Sequence, residues 1–90
     1  MYLGAYRFAG DPTSLVPAYD RFAAGFPPDA LMLHVCVVEK DGIVIFDACP
    51  TPEIFAAFST GPEFAAAAAA AGLPAPVVQP LGTVHAAIIA

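Results

Sequence analysis

The chain has 90 residues, enough for one small domain; 59% of them are hydrophobic and only 12% are charged. Its net charge of −5 argues against binding to nucleic acid or to an anionic membrane surface, because few basic groups could meet phosphates. We expect a single domain over residues 1–90, and an association of copies that covers apolar surface.

The first predicted strand is Met1 to Gly10, in which aromatic residues alternate with other side chains. The aromatic side carries Tyr2, Tyr6 and Phe8. The segment has no basic leader region and no cleavage-site pattern, so we expect a cytoplasmic protein.

A helix is predicted to follow, with its N-cap at Asp11 or at Thr13/Ser14. In this interpretation Pro17 lies in the first turn, where its missing N–H is tolerated. The helix is expected to end at Phe26–Pro28, because a residue that precedes proline is disfavoured in the α region. Residues at helical spacing mark the buried stripe, and these are Leu15, Tyr19, Phe22 and Phe26.

A β-hairpin is predicted in Ala30 to Pro50, where two apolar runs flank Asp41-Gly42. With these two residues as the loop, Cys36 faces Asp47, and His34 lies diagonally from Asp47. Side chains alternate between the faces of a sheet, so polar and reactive groups collect on one face. That face carries His34, Cys36, Val38, Ile45, Asp47 and Cys49, and the other carries Leu33, Val35, Val37, Val44, Phe46 and Ala48.

A broken helix and a last strand are predicted after the hairpin. Thr51–Glu53 combines an N-cap, a proline at the first helical position and an acid in the first turn. A break at Ser59–Glu63 precedes an alanine-rich helix that Gly72 stops. The last strand is expected at Leu81 to Ile89. Glycines and prolines interrupt the uncharged run from Phe64 to Ala90, so we expect no transmembrane helix.

The element order β-α-β-β-α-β with a tight central hairpin predicts an α+β, ferredoxin-like sandwich. Its four-stranded antiparallel sheet would carry the helices on one face. Several strands are apolar on both sides, so we expect a partner sheet on the other face and predict a homodimer.

The segment Ile54 to Leu73 resembles the second-helix region of the dimeric α/β-barrel superfamily. Its members include antibiotic-biosynthesis-type monooxygenases, small polyketide cyclases and stress-responsive barrel proteins. That region shows a short helix, a Ser-x-Pro-like break, an acidic or histidine residue beside an aromatic one, and a long helix. The residues that fit are Ser59, Pro62, Glu63 and Phe64, without the histidine that several such enzymes carry. The resemblance implies a dimeric α/β barrel and assigns no subfamily.

Two charged residues, Arg7 and Asp47, fall in the middle of predicted strands, where an unpaired charge is unfavourable. One interpretation pairs them with each other across neighbouring strands and gives them no function. The other places Asp47 beside a cavity and within diagonal reach of His34. A carboxylate on one imidazole nitrogen fixes the tautomer and makes the other nitrogen more basic.

The aromatic residues would shape a flat pocket beside this pair, while His85 either borders it or is exposed. The predicted ligand pocket comprises Tyr6, Arg7, Tyr19, Cys36, Cys49 and His85. Both thiols are expected to be reduced and to act as small buried hydrophobes, with Cys49 near the N-terminus of the next helix. The thiols with His34 and Asp47 offer four zinc ligands, but a flat sheet rarely encloses a metal, so we predict neither metal nor cofactor.

Two functions follow from this pattern and this resemblance. The first is a small cofactor-free enzyme, a cyclase, isomerase or monooxygenase, that acts on an aromatic or polyketide-like molecule. His34 would be the base and Asp47 the group that orients it. The second is a non-catalytic binding or accessory protein in which the same residues are structural. Catalysis requires room beside His34, whereas a structural cluster should be packed solid.

Overall fold

The computed structural model describes residues 1–27 and 32–89, which form a four-stranded antiparallel sheet and three helices of the α+β class. The elements are β1 (Tyr2–Ala9), α1 (Pro12–Ala23), β2 (Leu33–Glu39), β3 (Gly42–Cys49), α2 (Pro52–Ser59), α3 (Pro62–Ala71) and β4 (Val77–Thr83). The strand order β2-β3-β1-β4 is compatible with the predicted ferredoxin-like fold. Three predicted boundaries, at Pro28, Ala30 and Ala90, lie outside the described residues.

Helix α1 begins where the sequence predicts. The carboxylate of Asp11 accepts a hydrogen bond from the amide of Thr13 at 2.9 Å, which caps one of the free N–H groups of the first turn. Because the helix starts directly after Asp11, Pro17 lies in its interior and not in its first turn. The helix ends at Ala23, before the predicted end at Phe26.

The hairpin loop is shifted by one residue from its predicted position. The loop is Lys40-Asp41 instead of Asp41-Gly42, and His34 therefore lies directly opposite Asp47. Each residue of β2 meets a partner two positions away from the predicted one. Because side chains alternate with period two, this shift keeps both predicted faces unchanged.

Residue 42 is a glycine because β1 packs closely against it, and not because the turn requires a glycine. Positive φ angles in the described part of the chain belong to other residues, Gly10, Gly72 and Gly82. The hairpin loop therefore does not use the left-handed conformation that an Asp-Gly dipeptide commonly supplies in two-residue turns. A Cβ atom on Gly42 would overlap the carbonyl oxygen of Phe8. The glycine thus permits a close approach of β1 and β3.

The hydrophobic core lies between one face of the sheet and the three helices. Its members include Tyr6, Phe8, Ile43, Ile45 and Cys49 of the strands and Leu15, Ala18, Phe22, Phe55, Phe64 and Ala68 of the helices. The core residues of β3 belong to the predicted face that carries His34 and Asp47. The reactive face of the sheet is therefore the face that the helices cover.

The opposite face carries Arg7, which lies beside Val44 in the sheet register. Its guanidinium donates to a carboxylate oxygen of Glu39 at 2.8 Å and to the side-chain oxygen of Gln79 at 3.0 Å. The predicted pairing of Arg7 with Asp47 is wrong, because the two side chains lie on opposite faces. The Arg7 side chain reaches from β1 across β3 to Glu39 of β2. Val44 of β3, which it crosses, is only 1% exposed.

The last strand lies earlier in the chain than predicted, at Val77–Thr83 instead of Leu81 to Ile89. It is an edge strand beside β1, and an edge tolerates Pro80, which has no N–H to donate. The pairing register of β1 and β4 shifts between Leu3 and Gly4, directly beside Pro80, which pairs with Gly4. The apolar residues that suggested a strand near the end, Ile88 and Ile89, are 96% and 79% exposed.

The predicted break in the second helical region is confirmed, since α2 ends at Ser59 and α3 starts at Pro62. The hydroxyl oxygen of Thr51 accepts a hydrogen bond from the amide of Ile54 and caps α2, and Gly72, with φ of 94°, ends α3. Within residues 1–27 and 32–89, no single helix has the length and hydropathy to cross a membrane. The pair α2 and α3, bent by 53°, meets those two criteria only when both helices are taken together.

Candidate functional site

Three polar side chains form a hydrogen-bonded series between α1 and the sheet, here named the Tyr19–His34–Asp47 chain. Nδ1 of His34 lies 2.6 Å from Oδ1 of Asp47, and Nε2 lies 2.5 Å from the hydroxyl of Tyr19. The register of β2 and β3 brings the first pair together, because the two residues are directly opposed. The Tyr19 ring also lies nearly parallel to the imidazole, with centroids 5.8 Å apart.

The donors and acceptors of this chain follow from the chemistry of each group. An ionised Asp47 can only accept, so Nδ1–H of His34 donates to it. In a neutral ring, Nε2 then accepts from the hydroxyl of Tyr19. Protein groups thus engage both ring nitrogens, which leaves His34 in the position of an orienting group.

A cavity of about 190 Å³ opens beside Asp47, between the sheet and α2. Its lining is Tyr6, Phe26, Asp47, Cys49, Pro50, Ile54, Phe55 and Phe58. A dry apolar cavity of roughly 150 Å³ can hold benzene. This cavity therefore has room for one six-membered ring with a few small substituents.

Gly4 shapes the floor of the cavity. It pairs with Asp47 in the register of β1 and β3, and a Cβ atom on it would overlap the ring of Phe55. The absent side chain lets that ring lie against the sheet beside Asp47. Tyr6 lies on the same face, with its ring centroid 5.6 Å from that of Phe55 and 4.9 Å from that of Phe64.

The hydroxyl of Tyr6 is buried and has no hydrogen-bond partner among the described residues. The whole residue is 1% exposed and lines the cavity. Burial raises the pKa of Tyr6, and the nearby charges of Asp47 and Cys49 raise it further. A buried polar group without a partner costs about 1–3 kcal/mol, so this hydroxyl is a natural contact for a ligand or a water molecule.

Asp47 is 5% exposed and is the charged group among the described residues of the cavity wall. Burial raises its pKa above the ordinary value, and this effect outweighs the opposing influence of the charge and hydrogen bond of His34. A carboxylate with a raised pKa is a stronger base than an ordinary one. Such a shift is typical of groups that exchange protons with a substrate.

The structure brings only part of the predicted pocket together. Tyr6 and Cys49 line the cavity with Asp47, and Tyr19 belongs to the hydrogen-bonded chain. Cys36 is half-buried on the same face of the sheet but does not line the cavity. Burial raises the pKa of the Cys36 thiol, and the charge of Asp20 raises it further.

Arg7 lies away from the cavity, contrary to the prediction from sequence, and His85 takes the exposed one of its two predicted positions. Arg7 lies on the other face of the sheet because β1 alternates, and the aromatic residues take the helix side. His85 is exposed and follows β4, which ends at Thr83. It borders a surface depression that it shares with Leu3.

The aromatic wall of the cavity includes Phe26, Phe55 and Phe58, three residues that the predicted aromatic pocket did not name individually. Phe55 and Phe58 lie three residues apart on α2, a spacing that places both on one side of a helix. Helix α2, capped by Thr51, directly follows β3, the strand that carries Asp47. This proximity in the sequence could have predicted that aromatic residues of α2 lie beside Asp47.

No group of three or more His, Cys, Asp or Glu side chains within residues 1–27 and 32–89 is arranged to hold a metal ion. Both cysteines are free thiols, and the Cys49 sulfur donates to the carbonyl oxygen of Thr51 at 3.3 Å.

Comparisons with protein-family models, curated protein sequences and solved structures found no match to this chain. The α+β class and the strand order rest on the structure itself. The dimeric α/β-barrel superfamily remains a resemblance in the segment from Ile54 to Leu73.

Proposed function

We propose that this protein is a small cofactor-free enzyme that transfers a proton on a single-ring organic molecule, as an isomerase or cyclase does. One observation carries the proposal: a buried carboxylate, held by His34, lies in the wall of an otherwise mostly apolar cavity of about 190 Å³. Sites for small ligands typically combine such a wall with a few placed polar groups.

The proposal exchanges the roles that the sequence suggested for the two central residues. Asp47 lines the cavity and His34 does not, so Asp47 is the base and His34 positions it. His34 engages Oδ1, while Oδ2 has no hydrogen-bond partner among the described residues. One carboxylate oxygen is thus held in place and the other is left for a substrate.

The rest of the cavity supports a flat, uncharged ligand. The rings of Phe55 and Phe58 offer faces and edges for a substrate ring to pack against. Lys and Arg are absent from the described lining, so a carboxylate or phosphate on the ligand would lack a counter-charge. The volume of about 190 Å³ suits a single ring of the predicted aromatic or polyketide-like class.

A binding experiment tests the cavity, with toluene as the probe and amide chemical shifts in NMR as the readout. We expect saturable binding to the wild type and shifts centred on Tyr6, Phe55 and Phe58. Cys49→Met should fill part of the cavity and weaken binding at least tenfold. Cys36→Met is the matched control on the same sheet face, and it should bind toluene as the wild type does. The absence of saturable binding to the wild type would overturn the proposal.

A second candidate is a non-catalytic binding or accessory protein. The engagement of both nitrogens of His34 favours it, because the Tyr19–His34–Asp47 chain then stabilises the fold without chemistry. The two candidates differ for a protein that binds toluene: only the enzyme should catalyse proton transfer that depends on Asp47.

We also propose that the protein is a homodimer through the face of the sheet that carries Arg7. Apolar side chains remain exposed there, with Val35 41%, Val37 40% and Val77 61% exposed. A second sheet packed against this face would remove them from water.

A further inference from the structure

We propose that the substrate is a cyclic ketone that can enolise, and that the Tyr6 hydroxyl donates a hydrogen bond to its carbonyl oxygen while Asp47 removes a proton from an adjacent carbon. This inference rests on the proposed function, which names proton transfer but not the group that activates the substrate. It assigns Tyr6 a catalytic role and defines the substrate class.

The sheet register places the two groups side by side. Tyr6 pairs with Ile45, and Asp47 pairs with Gly4, so the two side chains are diagonal neighbours on one face of β1 and β3. Gly4 contributes no side chain between them. Both residues line the same cavity, and one carries a hydroxyl and the other a carboxylate. They can therefore act on neighbouring atoms of one ligand.

The bonding needs of the two groups are complementary. The Tyr6 hydroxyl is buried among aromatic rings and lacks a partner among the described residues. It offers a donor to an oxygen, and the ionised Asp47 offers an acceptor to a hydrogen. A ketone with a hydrogen on the adjacent carbon presents an acceptor and an acidic C–H two bonds apart. Its enol presents an O–H group in the same place, so a phenol is a stable mimic of that intermediate.

The chemistry is balanced for a ring ketone such as 3-cyclohexen-1-one. The C–H bond at C2 breaks, its proton goes to the Asp47 carboxylate, and the electron pair spreads onto the carbonyl oxygen. The Tyr6 hydroxyl stabilises the negative charge that develops there. Asp47 then gives the proton to C4, which forms the conjugated isomer 2-cyclohexen-1-one. Substrate and product are isomers, so no co-reactant is required.

The test follows the ultraviolet absorbance of the conjugated product when the protein is mixed with 3-cyclohexen-1-one. Loss of one donor to a developing oxyanion typically slows a reaction by about 10²–10³-fold, so Tyr6→Phe should lower the rate by that factor. Asp47→Asn should lower it by about 10²–10⁴-fold. Tyr2→Phe is the matched control, because Tyr2 lies on the same face of β1 and does not line the cavity. It should retain the wild-type rate.

Binding of phenol and toluene to the same variants separates the two proposals. The wild type should bind phenol more tightly than toluene, and Tyr6→Phe should lose this preference while it still binds toluene. Equal rates for Tyr6→Phe and Tyr2→Phe would overturn the assignment of Tyr6 and leave proton transfer intact. A wild type that binds toluene but does not accelerate the isomerisation would overturn the ketone class. A wild type that does not bind toluene would overturn the proposed function itself.

Discussion

At the scale of single residues, the site depends on how Asp47 is held. Its carboxylate is buried beside an apolar cavity, and one imidazole provides its side-chain hydrogen bond. Burial disfavours the charge, whereas His34 favours it, and burial has the larger effect on the pKa. The residue is therefore less stable as an anion than a surface aspartate, which is a useful property for a base.

The raised pKa of Asp47 predicts a pH dependence of stability. From the ordinary value of 3.8 up to its higher pKa in the folded state, the folded protein holds this proton more tightly than the unfolded chain does. The free energy of unfolding should therefore fall as pH rises through that range. Urea unfolding at a series of pH values should show this decline in the wild type. Asp47→Asn should lack this component, whereas Glu63→Gln, at an exposed position on α3, should keep it. Parallel profiles for the wild type and Asp47→Asn would contradict the prediction.

Tyr19 provides a second residue-level prediction, because its hydroxyl bonds Nε2 of His34 at 2.5 Å in a half-buried position. Tyr19→Phe should destabilise the protein by about 0.5–1.5 kcal/mol, the usual net worth of such a bond. Tyr2→Phe serves as the control, since the Tyr2 hydroxyl bonds to none of the described residues. The free energies of unfolding of both variants can be measured in urea. An equal stability of the two variants would show that the Tyr19 bond contributes nothing.

At the scale of secondary-structure elements, the hairpin shows how much the sequence could predict. The period-two alternation of side chains predicted that His34 and Asp47 lie on one face. This prediction holds although the loop lies one residue from its predicted position, because each pairing moves by two residues. The turn itself was mislocated because the dipeptide Asp41-Gly42 is typical of a hairpin loop. Here the glycine serves the contact with β1 instead. Local turn preferences cannot reveal such a contact.

The pocket was predicted less well, because it depends on which strands are neighbours and in what register. The pairing of β1 with β3 sets Gly4 opposite Asp47 and makes space for Phe55, and no local pattern encodes that register. The same alternation in β1 sends Arg7 to the other face, away from Asp47. Composition and periodicity therefore predicted the polar pair and a cavity beside it, but identified only part of the cavity lining.

Gly4 carries an element-level prediction. Gly4→Ala should displace the ring of Phe55 from the sheet, with a cost of about 1–3 kcal/mol that is typical of overpacking. Gly25→Ala is a matched control, because among the described residues its added Cβ would meet only the carbonyl oxygen of Phe22, at an ordinary 3.5 Å. Thermal unfolding should show a clear loss for the first variant and little change for the second. A Gly4→Ala variant as stable as Gly25→Ala would contradict this account of the cavity floor.

At the scale of the whole molecule, the two faces of the sheet differ in what covers them. Helices bury one face, and the other exposes apolar side chains around the Arg7–Glu39 ion pair. With only 12% of its residues charged, the chain has few polar groups with which to shield that surface. This contrast supports the proposed homodimer.

The proposed dimer predicts that, of two neighbouring substitutions in β2, only one separates the copies. Val37 lies on the exposed face, and Val38 lies on the helix-covered face near its end, where it is 59% exposed. Val37→Lys should separate the copies, because it would bury an unpaired charge in the apolar interface, and Val38→Lys should leave the dimer intact. Sedimentation equilibrium at micromolar concentration distinguishes these outcomes. A wild type that remains monomeric there would contradict the proposed dimer.

The central claim is that Asp47 moves a proton to and from a ring-sized molecule in the cavity. The most direct measurement is the exchange of the hydrogens of cyclohexanone, at the carbons next to its carbonyl group, in D₂O, followed by proton NMR. The wild type should accelerate this exchange above the rate in buffer, and Asp47→Asn should reduce the acceleration by about 10²-fold or more while toluene still binds. Equal exchange rates for the wild type and Asp47→Asn would contradict the claim.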